Sequence, residues 1–216
     1  MTSAARKGRP FQFAIIVGGL VVFIGLALTV KDHPSLGSFD GRVERWAVDA
    51  PRAIHDAAAA VTWLGSWLTL LPIALAVAIA ERTLRKTPWP LALLPLVALG
   101  GAILLYNVGK ALTNRPRPPA SLLTSSAFPS GHATASVAVW GTIALVVGLG
   151  RSRRAKVPLL IAAKLIALAV GASRVILGVH WPTDVIAGWA LGAALLAALS
   201  LAIPRYGADR MTSTIP

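Results

Sequence analysis

"FPSGHATASVAVWGTIALVVGLG", residues 128–150, joins two unlike chemistries. From Ala133 to Gly150 no residue carries a charge. As a helix that run would rise about 27 Å, close to the roughly 30 Å hydrocarbon thickness of a bilayer. Directly before it stand Pro129, Ser130, Gly131 and His132. They are a helix breaker, a capping side chain, a residue that lets backbone come close, and a titratable ring. The run predicts a membrane-spanning helix. Its prefix raises the question of what a histidine holds at the helix's lip.

Composition names the solvent. Of 216 residues, 56% are hydrophobic and 13% charged, with mean hydropathy +0.70; a soluble domain carries nearer a quarter charged residues. Uncharged apolar runs of spanning length recur at 11–30, 61–80, 90–109, 133–150 and 185–203. A sixth, 157–177, is interrupted by Lys164 and, near its end, by Arg174. These runs predict an all-α integral membrane bundle of six transmembrane helices, one domain over 1–216. Arg6, Lys7 and Arg9 precede the first run as they would a secretory signal. Its apolar part is longer than a signal's and no A-x-A site follows, so an uncleaved first span is expected. The chain has no cysteine, which excludes disulfides and thiolate chemistry.

A net charge of +13 raises the question of nucleic acid, and the distribution speaks against it. With the N-terminus inside, twelve of the 21 basic residues fall on cytoplasmic segments. They are Arg6, Lys7, Arg9, Arg82, Arg85, Lys86, Arg151, Arg153, Arg154, Lys156, Arg205 and Arg210. Eight fall on the opposite side, where Asp32, Asp40, Glu44, Asp49 and Asp56 offset the four cations of the first loop. That bias follows the positive-inside rule. It places both termini in the cytoplasm of a multi-pass protein of the cell (inner) membrane, with no nucleic-acid partner.

The connections add detail. In "DGRVERWAVDAPRAIHD", residues 40–56, Val43, Trp46, Ala47, Ala50 and Ile54 recur at three- and four-residue spacing. One short amphipathic helix lying on the outer interface is expected there, anchored by Trp46. Trp63, Trp67 and Trp89 fall near span ends, as interfacial aromatics do. Pro116, Pro118 and Pro119 forbid a continuous helix over 111–130. Gly188 and Gly192, in "GWALG", form a small-xxx-small pair suited to close packing inside the bundle.

On this topology the polar residues gather at one depth. Lys110 ends the third span, Arg115 and Arg117 follow it, and Ser130, Gly131 and His132 open the fourth. Ser173 and Arg174 close the fifth, while His180 and Asp184 lie where the sixth begins. Ionisable residues at membrane depth are costly and face sites. The set suits a phosphate: cations neutralise it, Arg binds it bidentately, and the "PSG" amides at a helix start favour an anion. Two histidines can divide the chemistry, one attacking phosphorus and one protonating the leaving oxygen. Asp184, four residues past His180, can hold one imidazole nitrogen, which makes His180 the better nucleophile and His132 the better acid.

The sequence resembles the type-2 phosphatidic-acid phosphatase superfamily, whose motifs read K-x6-RP, PSGH and SR-x5-H-x3-D. Here they are Lys110 with Arg117-Pro118, Pro129 to His132, and Ser173-Arg174 with His180 and Asp184. The resemblance implies that Lys110, Arg117 and Arg174 bind the phosphoryl group, helped by Ser130 and Gly131. It further implies that His180 forms a phosphohistidine, Asp184 orients it and His132 acts as general acid, with no metal and no cofactor. Arg115 has the wrong spacing from Lys110 and is read as a neighbour. His33 and His55 are read as solvated loop residues, and Lys164 as snorkelling or paired inside the bundle.

The expected activity is hydrolysis of the phosphate or diphosphate head of a membrane lipid. A polyprenyl diphosphate such as undecaprenyl diphosphate, phosphatidate and phosphatidylglycerophosphate all fit, because the motifs read only the head. The site would face the periplasm or exterior. Two alternatives are a lipid phosphotransferase using the same phosphohistidine and an anion-binding transporter. A binding site alone does not need paired histidines with a carboxylate behind one of them. Vanadium haloperoxidases share the motifs, but they are soluble.

Overall fold

The computed structural model describes residues 9–32 and 37–203. Regular structure among them is helical: α1 (Arg9–Asp32), α2 (Gly37–Val48), α3 (Arg52–Thr62), a 3-10 turn (Trp63–Gly65), α4 (Trp67–Leu84), α5 (Trp89–Ala92), α6 (Leu94–Thr113), α7 (Gly131–Val147), α8 (Arg153–Ile176) and α9 (Pro182–Leu201). Arg6, Lys7, His33, Arg205 and Arg210 lie outside the described residues. Among the described residues α1, α4, α6, α8 and α9 are long and apolar enough to cross a membrane. Only 6% of the α1 span is buried, and Phe13, Val17, Val21, Ile24 and Leu28 face outward from it. Such a surface requires lipid as its solvent, and this is a membrane protein.

Two expected spans begin elsewhere, and a third is shorter than expected. The run 61–80 is broken at residues 63–66: α3 ends, a 3-10 turn passes Gly65, and Ser66 starts α4 by accepting the amide of Leu68 at 3.4 Å. A side chain at Gly65 would come within 2.4 Å of Val170, so the close approach itself demands glycine. The run 90–109 is split into the four-residue α5 and α6, with Pro95 early in α6. The run 133–150 becomes α7, 17 residues long. The single amphipathic helix expected over 40–56 is two helices, because Pro51 stops α2 and α3 starts after it. Ala50 lies in the break. Trp46, expected as an anchor, is 66% exposed, while Val43 and Ala47 pack inward against Ala133, Val175 and Val185.

α7 sits at the centre, against α6, α8 and α9. A side chain at Gly192 would meet the Thr134 carbonyl at 2.6 Å, and one at Gly188 the Ser130 carbonyl at 2.7 Å. The small pair of α9 therefore serves packing within the bundle, as its spacing suggests. Polar residues buried in α7 return their hydroxyls to their own backbone: Thr134 to Ser130 at 2.9 Å, Thr142 to Ala138 at 2.6 Å. At the far end of α7, Arg85 donates to the carbonyls of Val147 (2.8 Å) and Leu149 and to Glu81 at 2.9 Å. Thr87 donates to the other Glu81 oxygen at 2.8 Å. Carbonyls that α7 leaves unpaired at its end are thereby satisfied.

Candidate active site

Four helix ends meet at the start of α7. The last turn of α6 carries Lys110, and Asn114, at φ +46°, ends the helix with its amide on the Lys110 carbonyl at 3.0 Å. Asn tolerates this left-handed conformation, which turns the chain into Arg115 and Arg117. The Pro-rich segment closes at Ser130, whose Oγ accepts the amide of Ala133 at 3.4 Å as the N-cap of α7. Near the end of α8 stands Arg174, and Gly178, at φ +62°, reverses the chain toward His180. Asp184, in the first turn of α9, accepts the Trp181 amide at 2.9 Å.

Lys110, Arg117, Gly131, His132, Arg174 and His180 line one cavity of about 170 Å³, completed by the apolar side chains of Leu99, Ile103, Tyr106 and Ala135. A Cβ at Gly131 would stand 3.2 Å from the Tyr106 ring. Arg117 is braced from behind: its Nε donates to the Ser125 carbonyl at 2.7 Å and its Nη1 to the Val179 carbonyl. Lys110 Nζ donates to the Ser126 carbonyl. Arg174 donates from Nη1 to Thr62 Oγ1 at 2.7 Å, while its buried Nε has no hydrogen-bond partner. A buried charged donor left open beside two other cations is a place for an anion.

His180 is 3% exposed. Its Nδ1 lies 3.4 Å from Asp184 Oδ2 and its Nε2 3.3 Å from Arg117 Nη1, at the cavity. A carboxylate can only accept, so Nδ1 carries the proton and Nε2 the lone pair. Burial pushes the imidazole down to about 4, against the opposing pull of Asp184, and Arg117 and Arg174 push the same way as burial. At neutral pH the ring is neutral, and Nε2 presents its lone pair at the cavity beside Arg117.

Sequence-predicted residues take different positions. Ser130 does not line the cavity; its amide donates to the Asp184 carbonyl at 3.0 Å and its hydroxyl caps α7. Asp184 stands behind His180, fully buried. His55 lies away from the cavity. Lys164 is exposed on α8 beside an apolar cavity of about 350 Å³ between α7, α8 and α9, and it makes no ion pair among the described residues.

Two residues have partners that the sequence did not reveal. Arg115, read as a neighbour, does not line the cavity; it is 1% exposed and forms ion pairs with both Asp184 and Asp40. Asp40, read as one of several loop acids offsetting cations, is 0% exposed and points into the bundle. A signal did exist, since Asp40, Val43 and Ala47 share one helix face by spacing and two of them are apolar.

Comparison with known proteins fits this geometry. The PAP2 superfamily model matches residues 91–207. The chain is 38% identical over 144 residues to phosphatidylglycerophosphatase B of Bacillus subtilis (strain 168), covering 64% of this chain and 70% of that protein. It is 37% identical over 100 residues to an undecaprenyl-diphosphatase of Sulfolobus acidocaldarius, covering 42% of this chain and 45% of that one. The crystal structure of a transmembrane PAP2-type phosphatidylglycerolphosphate phosphatase from Bacillus subtilis superposes with a TM-score of 0.80 at 32% identity, over 89% of this chain and 99% of the other.

Proposed function

The chain belongs to the PAP2 superfamily, and on that premise we propose that it hydrolyses the phosphate or diphosphate head of a membrane lipid through a phosphohistidine. The observation that carries the reading is His180 itself. One nitrogen is held toward a buried carboxylate, and the other opens on a cavity ringed by Lys110, Arg117 and Arg174. The relatives' names, a phosphatidylglycerophosphatase and an undecaprenyl-diphosphatase, support a lipid phosphate as substrate.

Lys110, Arg117 and Arg174 take the phosphoryl oxygens, with Gly131 leaving room for them. His180 Nε2 attacks phosphorus, a P–N bond forms, and the bond from phosphorus to the lipid oxygen breaks. Protonated His132 gives its proton to that leaving oxygen. Water then attacks the phosphohistidine, His132 takes the water's proton, and the P–N bond breaks to release phosphate. Asp184 keeps Nε2 aimed and stabilises the positive charge that develops on the ring. Both acids close to the cavity, Asp184 and Asp40, already bond Arg115, so the reaction is read as metal-independent.

The same proposal extends to the membrane. α7 would be the sixth span, with α2 and α3 lying over the outer end of one domain. Both termini would be cytoplasmic in the cell membrane and the cavity would open on the opposite side. The activity test is phosphate release by purified protein from a panel of lipid phosphates and diphosphates, with and without an acceptor lipid. Release from no member of the panel overturns the reading, and transfer to the acceptor in place of release turns it into a phosphotransferase. Reporter fusions after residues 86 and 120 should report opposite sides of the membrane.

A further inference from the structure

Asp184 could not hold its place alone. A carboxylate wholly buried in an apolar bundle needs its charge matched and its lone pairs satisfied. Its two oxygens are divided between tasks. Oδ2 accepts the Trp181 amide at 2.9 Å and faces His180 Nδ1 at 3.4 Å, while Oδ1 pairs with Arg115 Nη1. Arg115 is itself fixed: Nη2 donates to Asp40 Oδ2 at 2.7 Å, and the guanidinium lies 5.7 Å from the Trp181 ring centroid. Thr183 locks the join, accepting from Arg115 Nη1 at 2.8 Å and donating from Oγ1 to Asp40 Oδ2 at 2.7 Å, with its amide on Asp40 Oδ1 at 3.1 Å. Neither Arg115 nor Asp40 lines the anion cavity.

We propose that Arg115 and Asp40 are positioning residues that act through Asp184 to set the direction of the His180 imidazole. A guanidinium is the group that can do this, because its planar fork bonds two carboxylates in fixed directions, whereas a lysine ammonium is a point charge. α2 thereby becomes part of the reaction's framework, although it lies in the first connection and brings no group to the phosphate. The inference rests on the reading of His180 as nucleophile.

The test uses the full chain in detergent, with Arg115→Lys and Asp40→Asn made alone and on an Asp184→Asn background. Outer partners of metal-bound histidines, which aim a ring in the same way, cost on the order of 10- to 100-fold in activity when removed. That loss is expected in kcat for each single variant, with KM and inhibition by inorganic phosphate within about threefold of wild type. In the Asp184→Asn background either change should cost less than about twofold, because the residue it acts through is already disabled. The inference is overturned by equal losses with and without Asp184, by a loss confined to KM and phosphate inhibition, or by wild-type kcat in both variants. If Asp40→Asn does not fold, Arg115→Lys, which keeps the charge, decides alone. Should wild type release nothing from lipids, the substrate reading fails, and the same comparison on nitrophenyl phosphate still tests the positioning. Independently of turnover, ¹⁵N NMR of His180 should show the Nδ1–H tautomer in wild type and a mixture in Arg115→Lys; an unmixed variant counts against the proposal.

Discussion

Where α4 stops, Glu81 is buried, yet both of its oxygens and both terminal nitrogens of Arg85 have partners in Thr87, each other and the carbonyls of Val147 and Leu149 at and just past the end of α7. Where α6 and α8 stop, the cavity collects Lys110, Arg117 and Arg174, and the two acids beside it are engaged by Arg115. The first is a closed cluster in which both charges, those of Glu81 and Arg85, are answered from within the protein. The other keeps an excess of positive charge and an open Arg174 Nε. Buried charge alone therefore does not mark a site in this fold; incompletely matched buried charge does.

Substitutions can break that contrast, the largest effect first. His180→Ala removes the nitrogen proposed to attack phosphorus, and turnover should fall by at least about 10⁴-fold with every leaving group. Acid-quenched protein should then hold no phosphohistidine; a trapped phosphoenzyme in this variant would assign the nucleophile elsewhere. His132→Ala should slow lipid phosphate hydrolysis by about 10²–10⁴-fold and recover most of that on nitrophenyl phosphate, whose leaving group needs no proton. Equal defects on both substrates would remove His132 from the acid role.

The pH response sharpens the same contrast. The His180 imidazole is pushed from 6.5 to about 4 in the folded chain, so between those values the unfolded chain binds the extra proton. The stability that this one group governs is constant above pH 6.5 and is lost as pH falls through the window, by on the order of 3 kcal/mol once below it. Thermal unfolding in detergent from pH 7 to 4 should show this limb in wild type and a shallower one in His180→Asn. The closed end should behave oppositely to the open one: Glu81→Gln should cost about 1–3 kcal/mol of stability and leave kcat unchanged. The smallest effect expected is none at all. EDTA should leave phosphate release unaltered, and loss restored by magnesium would reject a reaction carried by His180 and the cations alone.

What could be read from the sequence was set by distance along the chain. Lys110, Arg117, His132, Arg174, His180 and Asp184 occur in short motifs at helix ends, and the structure lines five of them along one cavity with Asp184 behind His180. Asp40 reaches Arg115 across 75 positions, and no local pattern records such a contact. The break at residues 63–66 was hidden because Trp63, Leu64, Gly65 and Ser66 carry no charge, although Gly65 followed by a capping Ser66 is a legible stop and start. Pro51 was likewise a visible boundary inside what looked like one amphipathic helix. Hydropathy reports how greasy a segment is, not where its backbone turns.

The central place of α7 has a consequence for where this protein can work. Helices that touch lipid must match bilayer thickness or tilt, thin or thicken their surroundings. α7 is wrapped by α6, α8 and α9, so its neighbours rather than lipid set its height. The helix that delivers His132 is thus shielded from hydrophobic mismatch, whereas α1, which packs on α9 along one face and turns Phe13, Val17, Val21, Ile24 and Leu28 outward, meets the lipid directly. Changing lipid chain length should re-orient the rim of the bundle and leave the spacing of the two histidines as it is.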